Sequence, residues 1–187
     1  LIAVRGISYQ LNQGETLALV GESGCGKTVS ALSILRLIEE PPGKIMDGEI
    51  LFDNKDLLKL TKKELQDHRG KDIAMIFQNS MTSMNPVLTI GEQIIETLLR
   101  HTPLSRKEAR EKSLNLLEQV EISSPKEKLD QYPHQLSGGM RQRAMIAMAL
   151  SCSPRILIAD EPTTALDVLI QAQILDLLKK IKQETRM

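Results

Sequence analysis

One octapeptide constrains this chain more than any other feature. Gly21-Glu-Ser-Gly-Cys-Gly-Lys-Thr28 fits the pattern G-x-x-x-x-G-K-[ST], which functions only when a strand delivers the chain to it and a helix carries the chain away. Thr16-Leu-Ala-Leu-Val20 is an apolar run that predicts the strand, and the residues after Lys27 follow helical periodicity. Glycines let the backbone curl until successive N–H groups face a phosphate, and the helix N-terminus adds the positive end of its dipole. In that arrangement Gly21, Glu22, Ser23, Gly24, Cys25 and Gly26 form a cradle, Lys27 neutralises β- and γ-phosphate oxygens, and the Thr28 hydroxyl ligates Mg²⁺. A chain built around such a loop is predicted to be α/β, with a largely parallel sheet.

The rest of the pattern extends that expectation. Pro41-Pro42-Gly43 breaks the first helix, and Gly48-Glu-Ile-Leu-Phe52 followed by Asp53-Asn54 reads as a strand and turn of a small antiparallel piece. Ile73-Ala-Met-Ile-Phe77 predicts a buried strand, and Gln78 to Pro86 predicts a loop, because Asn85-Pro86 opposes a continuing helix or strand. From Ile90 to about Leu150 the pattern is helical. Ile156-Leu-Ile-Ala159 is a second apolar strand ending in two acids, and Ile170, Ile174, Leu177, Leu178 and Ile181 mark one face of a closing helix. Nearly continuous apolar strands imply a parallel sheet covered on both faces. Three helix starts carry a hydroxyl followed by Glu three residues later: Thr61/Glu64, Ser105/Glu108 and Ser124/Glu127.

Composition offers no partner for such a domain. The 187 residues are 41% hydrophobic, enough for one domain with a core. Lys+Arg and Asp+Glu both number 24, so no net field draws the molecule onto nucleic acid or an anionic membrane. Two cysteines, Cys25 and Cys152, make no disulfide framework and fit a reducing compartment. No apolar stretch approaches the roughly 20 residues that span a bilayer. Leu1 in place of Met, and Met187 directly after a helical pattern, lead to the expectation that both ends are cut.

Asp160 and Glu161 follow an apolar strand and are expected at the sheet end where α/β ligand sites lie. Beside a phosphate loop, Asp160 would hold Mg²⁺ through water and Glu161 would act as general base on the attacking water. Leu136-Ser-Gly-Gly-Met-Arg-Gln-Arg143 opens another helix. There Ser137, Gly138 and Gly139 offer a second anion site at a helix N-terminus, or else a simple capping turn. Arg141 and Arg143 read as makers of surface or interface ion pairs, and the Ala/Met-rich helix from Ala144 to Leu150 reads as core.

With those residues in hand, the chain resembles the ABC ATPases: Leu136 to Arg143 looks like their signature and lies between the phosphate loop and the Asp160 strand. Met75-Ile-Phe-Gln-Asn-Ser-Met-Thr-Ser-Met-Asn-Pro86, Gln131-Tyr-Pro-His-Gln-Leu-Ser-Gly-Gly139 and Ala159-Asp-Glu-Pro-Thr-Thr-Ala-Leu-Asp-Val168 are similar to the dipeptide/oligopeptide importer ATPases and their nickel and glutathione relatives. The likeness runs over nearly the whole chain. It implies a RecA-like P-loop NTPase core over 1–88 and 150–187, with a helical subdomain inserted over 89–149.

The resemblance also implies ATP and Mg²⁺ as ligands and a head-to-tail cassette dimer, identical or mixed, in which Ser137, Gly138 and Gly139 cap the nucleotide held by the other subunit. Gln78 matches the Q-loop glutamine, which contacts Mg²⁺ or the attacking water and reports to a permease; as a lone Gln at a strand end it could equally be solvated. Thr164-Ala-Leu-Asp167 resembles the D-loop, although Asp167 could instead cap the following helix. Two integral membrane permease subunits, and indirectly an extracytoplasmic binding protein, are the implied partners, at the cytoplasmic face of the cell membrane. A soluble ABC ATPase acting on nucleic acid or the ribosome is the alternative, disfavoured by neutral charge and the lack of a basic stripe. Two family features are not matched: neither His101 nor His134 stands at the switch-histidine position, and no upstream aromatic is placed to stack on adenine, Tyr9 being expected within the sheet. Weak hydrolysis by the chain as it stands is the expectation.

Overall fold

The computed structural model describes residues 2–164, 166–185 and 187, with residues 80 and 81 as backbone only. Contacts divide the chain into two units, Leu1–Arg69 and Gly70–Met187, and each is described in its own right.

In the first unit, helix α1 (Lys27–Ile34) buries Ala31, and Leu35 follows it into the core one turn later. Its end is tied down by Arg69, whose guanidinium donates to the carbonyls of Leu35 and Arg36, while Arg36 donates to Leu60 O. Leu35 is the C-cap of α1, and carbonyls at a helix end have no partner within the helix. Strands β1 (Leu51–Phe52) and β2 (Lys55–Asp56) pair antiparallel. Asp53 and Asn54 between them have φ of 50° and 61°, the left-handed pair that a two-residue hairpin demands and that Asp and Asn tolerate. Helix α2 (Lys62–His68) starts with the predicted capping box, Thr61 and Glu64 exchanging side-chain and backbone bonds.

Two expectations fail in this unit. No strand forms over 16–20: Leu17 and Leu19 are more than two-fifths exposed and Val20 is 93% exposed. An apolar run becomes a strand only when a neighbour pairs with its backbone, and the only ladder described in this unit is β1 with β2. Tyr9 therefore sits in no sheet and is 44% exposed.

The second unit is organised on two parallel strands, β3 (Ile73–Ile76) and β4 (Ile156–Ala159), in the register Ile73↔Ile156 to Ile76↔Ala159. All four β3 residues are buried, as a continuous apolar run predicts. β4 is only half-buried, because the described ladder reaches it from the β3 side alone. A four-residue helix, α3 (Ser80–Ser83), occupies part of the expected loop and ends before Asn85-Pro86. Then come α4 (Ile90–His101), α5 (Arg106–Gln119), the short α6 (Pro125–Lys128), a 3₁₀ turn at Pro133–Gln135, α7 (Gly138–Leu150) and, after β4, α8 (Val168–Thr185). α7 lies on β3, α4 and α5, and its Ala144, Met145, Ile146, Ala147 and Leu150 are buried with Ile94, Leu98 and Leu117 in one core. α8 contributes Ile174, Leu177 and Ile181 to the same core, at i, i+3 and i+7, the spacing of one helical face.

Ser105/Glu108 forms its capping box, and so does Thr89/Glu92 at the start of α4. Ser124 does not: it is left-handed at φ 52°, and Pro125 opens α6 without a side-chain cap. Glu127 instead accepts from Gln131 Nε2. The buried Gln93 fixes the chain between α3 and α4, accepting from Asn85 N and donating to the carbonyls of Asn85 and Leu88. No described helix is long and apolar enough to cross a membrane.

At the start of α4, Gly91 N donates to Leu129 O at 2.8 Å, and a Cβ on Gly91 would stand 2.7 Å from Leu129 Cγ and 2.8 Å from that carbonyl oxygen. Gly91→Ala is therefore expected to destabilise the protein by about 1–2 kcal/mol despite the better helix propensity of Ala. Urea unfolding measures this, and an unchanged or raised midpoint would contradict the packing described.

Candidate functional site

The phosphate loop belongs to the first unit. Gly24 and Gly26 adopt φ of 80° and 98°, conformations that a side chain disfavours. At Gly26 space forbids one as well, since a Cβ would lie 2.9 Å from both Ala3 O and Val4 Cγ2. Gly26 is the N-cap of α1 and supplies no side-chain bond, so the first-turn N–H groups of α1 are not capped from that position. Lys27 folds back over the loop, its Nζ donating to Gly21 O at 2.8 Å and Glu22 O at 2.9 Å. The ammonium is thus held against the carbonyls that open the loop. Gly21, Glu22, Ser23, Gly24 and Cys25 are exposed, and Gly26, Lys27 and Thr28 half-buried.

The candidate acids belong to the second unit. Ile76 is level with Ala159 in the β3–β4 register, so the residues two beyond each, Gln78 and Glu161, leave the ladder at the same end. Their side chains meet: Gln78 Nε2 donates to Glu161 Oε2 at 2.7 Å. Asp160, between them, continues the pairing through its N–H to Ile76 O at 2.9 Å and is only 6% exposed. Glu161 turns the chain with φ 45°, and Thr164 closes the turn by donating its N–H to Glu161 O at 3.1 Å and its hydroxyl to Glu161 Oε2 at 3.0 Å. Gln78, Asp160 and Glu161 are thus brought together, and Thr164, which the sequence placed only in the D-loop-like segment, joins the cluster through Glu161. Its signal was present in the spacing, because a hydroxyl three residues after an acid can reach back across a turn.

At the signature segment, Ser137 is the N-cap of α7, its hydroxyl accepting from Met140 N at 3.3 Å. The Ser137 side chain thus makes the N-cap bond of α7. Gly138 and Gly139 form the first turn of α7, and Gly139 packs so closely on α8 that a Cβ would be 3.0 Å from Ile170 Cγ2. Arg143 donates to Val120 O at 2.7 Å, to Glu121 and to Gln173, and Arg141 donates to Leu136 O. Both arginines are engaged within the protein, as the ion-pair reading anticipated for Arg143. Of the segment Thr164 to Asp167, Ala165 lies outside the described residues; Asp167 accepts from Ile170 N at 3.1 Å, the N-cap bond.

The two cysteines differ in chemistry. Cys25 is exposed within the loop, whereas half-buried Cys152 contacts Thr97 O and burial pushes its thiol up from the ordinary value.

A family model described as "ABC transporter" matches residues 4–164. The chain is 60% identical over 183 residues to the dipeptide transport ATP-binding protein DppD of Bacillus subtilis (strain 168), covering 98% of this chain and 55% of that protein. It is 54% identical over 182 residues to the oligopeptide transport ATP-binding protein OppD of the same organism, covering 97% of this chain and 51% of that protein. The chain thus spans about half the length of the curated relatives it matches. Among solved structures, a dimeric post-hydrolysis state of the ATP-binding cassette MJ0796 bound to ADP and Pi superposes with a TM-score of 0.81 at 33% identity, covering 94% of this chain and 73% of that one. The α/β fold of an ATP-binding cassette, a phosphate-loop NTPase core, is therefore shared.

Cys25 and Cys152 allow a selective test of the loop. N-ethylmaleimide is expected to modify Cys25 first, to weaken binding of a fluorescent ATP analogue by about tenfold or more, a loss of roughly 1.4 kcal/mol, and to be slowed by ATP. Unchanged nucleotide affinity after stoichiometric modification of Cys25 would count against its place in the cradle.

Proposed function

Because the chain belongs to the ABC transporter family, we propose that it is the ATP-hydrolysing part of an importer for peptides or related small solutes such as nickel or glutathione. The observation that carries the proposal is the Gln78–Glu161 hydrogen bond at the end of a parallel strand pair, in a chain that also holds a complete phosphate-binding octapeptide. In this reading the N–H groups of Gly21 to Gly26 and the Lys27 ammonium bind the β- and γ-phosphates of ATP. The Thr28 hydroxyl, the buried Asp160 carboxylate and the Gln78 amide oxygen are hard oxygen donors of the kind that hold Mg²⁺ with phosphate oxygens. Gln78 fits this role because its Nε2 is turned to Glu161, which leaves its oxygen as the end suited to a cation. Bound there, Mg²⁺ would neutralise charge on the phosphates.

Glu161 then accepts a proton from the attacking water. The water oxygen bonds to the γ-phosphorus while the bond to the bridging oxygen breaks, and ADP departs with that electron pair. Ser137, Gly138 and Gly139 cap the ATP held by a second cassette, identical or related, and residues 89–149 act as a helical subdomain that meets two permease subunits. An extracytoplasmic binding protein would deliver the cargo, and the subunit would be peripheral at the cytoplasmic face of the membrane. Support for the transport role comes from the relatives named for dipeptide and oligopeptide transport. The equal counts of acids and bases speak against a nucleic-acid partner.

In the full chain, Glu161→Gln is expected to lower the hydrolysis rate by about 10²–10⁴-fold while leaving ATP binding and ATP-dependent pairing of cassettes intact. Hydrolysis and sedimentation measured on the same preparation check both halves, and sustained hydrolysis would refute the base assignment. Purification from its native membrane is expected to bring integral membrane subunits with it, and recovery with ribosomes or DNA instead would refute the transport role.

A further inference from the structure

We infer that Thr164 is a positioning residue for hydrolysis, holding the Glu161 carboxylate at the angle from which it takes the proton of water. The inference deepens the reading above and rests on it. Two neutral donors converge on one oxygen of Glu161: Gln78 Nε2 at 2.7 Å and Thr164 Oγ1 at 3.0 Å. They come from different segments, Gln78 from the end of β3 and Thr164 from the turn after β4. A glutamate side chain has three rotatable bonds, and a single donor leaves the carboxylate free to swing about the line joining the two atoms; a second donor from another direction removes that freedom. The backbone of Glu161 is fixed by the same residue, since Thr164 N–H donates to Glu161 O. Thr164 therefore fixes both ends of the glutamate.

The two donors differ in what they are asked to do. In the proposed function Gln78 also presents its amide oxygen to the cation, so it serves two groups at once. Thr164 is three residues from Glu161 in the same turn, and both its hydroxyl and its N–H are committed to that one residue. A base that must act within hydrogen-bond reach of a water gains most from such a fixed anchor.

Thr164→Val keeps the shape and the backbone N–H and removes the hydroxyl, whereas Thr164→Ser keeps the hydroxyl. In the full chain, Thr164→Val is expected to lower kcat for ATP by about 10- to 100-fold, the worth of one hydrogen bond to a charged group. KM and ATP-dependent pairing of cassettes should stay within about twofold of wild type, since the hydroxyl bonds to the proposed base. Thr164→Ser should recover kcat to within about threefold. In a Glu161→Gln background, Thr164→Val should change the residual rate by less than about twofold, because the carboxylate it orients is gone. Should Thr164→Val fail to fold, Thr164→Ala measured against Thr164→Ser makes the same comparison. A kcat for Thr164→Val within twofold of wild type, a failure of Ser to rescue, or an equal loss in the Glu161→Gln background would overturn the inference. If Glu161→Gln itself hydrolyses normally, the base assignment falls and the inference with it; if Glu161→Gln is inactive and Thr164→Val is normal, the inference alone falls.

Discussion

The pairing of β3 with β4 is the constraint on which the second unit depends. Parallel strands in register leave their ladder at the same level, so fixing Ile76 opposite Ala159 fixes Gln78 opposite Glu161 without any further device. A slip of one residue would turn every side chain of one strand to the other face. A slip in one direction would carry Asp72 into the place now held by the buried Ile73. The core thus protects the register, and the register sets the chemistry. α7 reinforces it from one side: the helix that begins at Ser137 lies directly on β3 and buries Ala144, Ile146 and Ala147 completely.

Beyond the ladder, backbone conformation takes over. Glu161 occupies the left-handed region, which costs a non-glycine residue on the order of 1 kcal/mol. What offsets the cost is local: the Thr164 N–H, the Thr164 hydroxyl and the Gln78 amide all bond to this one residue. Strain at a single residue, over-determined by its neighbours, is a common way for a site to hold a side chain where an unconstrained turn would not put it. In the first unit the loop uses the opposite means, glycine at the left-handed positions and a lysine folded over its own carbonyls.

Much of this was legible in the residues. The octapeptide, the two acids after an apolar strand, the Asp53-Asn54 hairpin turn and the helical stretch from Ile90 to Leu150 each follow from rules local in sequence, and the structure contains the hairpin, both strands and the helices. The failures have two causes, a deciding partner that lies elsewhere in the chain and, at Ser124, a local backbone conformation that the capping spacing does not show. Thr16 to Val20 has the composition of a strand, but composition cannot say whether a neighbour will pair with it. Ser124 and Glu127 have the spacing of a capping box, yet Pro125 and a left-handed Ser124 open that helix differently. Gln93 looks like any polar residue on an amphipathic helix until its four bonds to Asn85, Leu88 and Thr89 are seen. The Gln78–Glu161 contact links residues 83 apart, and only the strand register reveals it.

The central claim is that Gln78 and Glu161 act as one unit because the ladder delivers them together. A double-mutant cycle on single-turnover ATP hydrolysis tests it most directly, using Gln78→Ala, Glu161→Asp, which withdraws the carboxylate by one methylene, and the pair. The account predicts a coupling energy of about 1 kcal/mol or more, well outside the ~0.3–0.5 kcal/mol within which independent sites add. Effects that simply add would show that the two side chains work separately, and would contradict it.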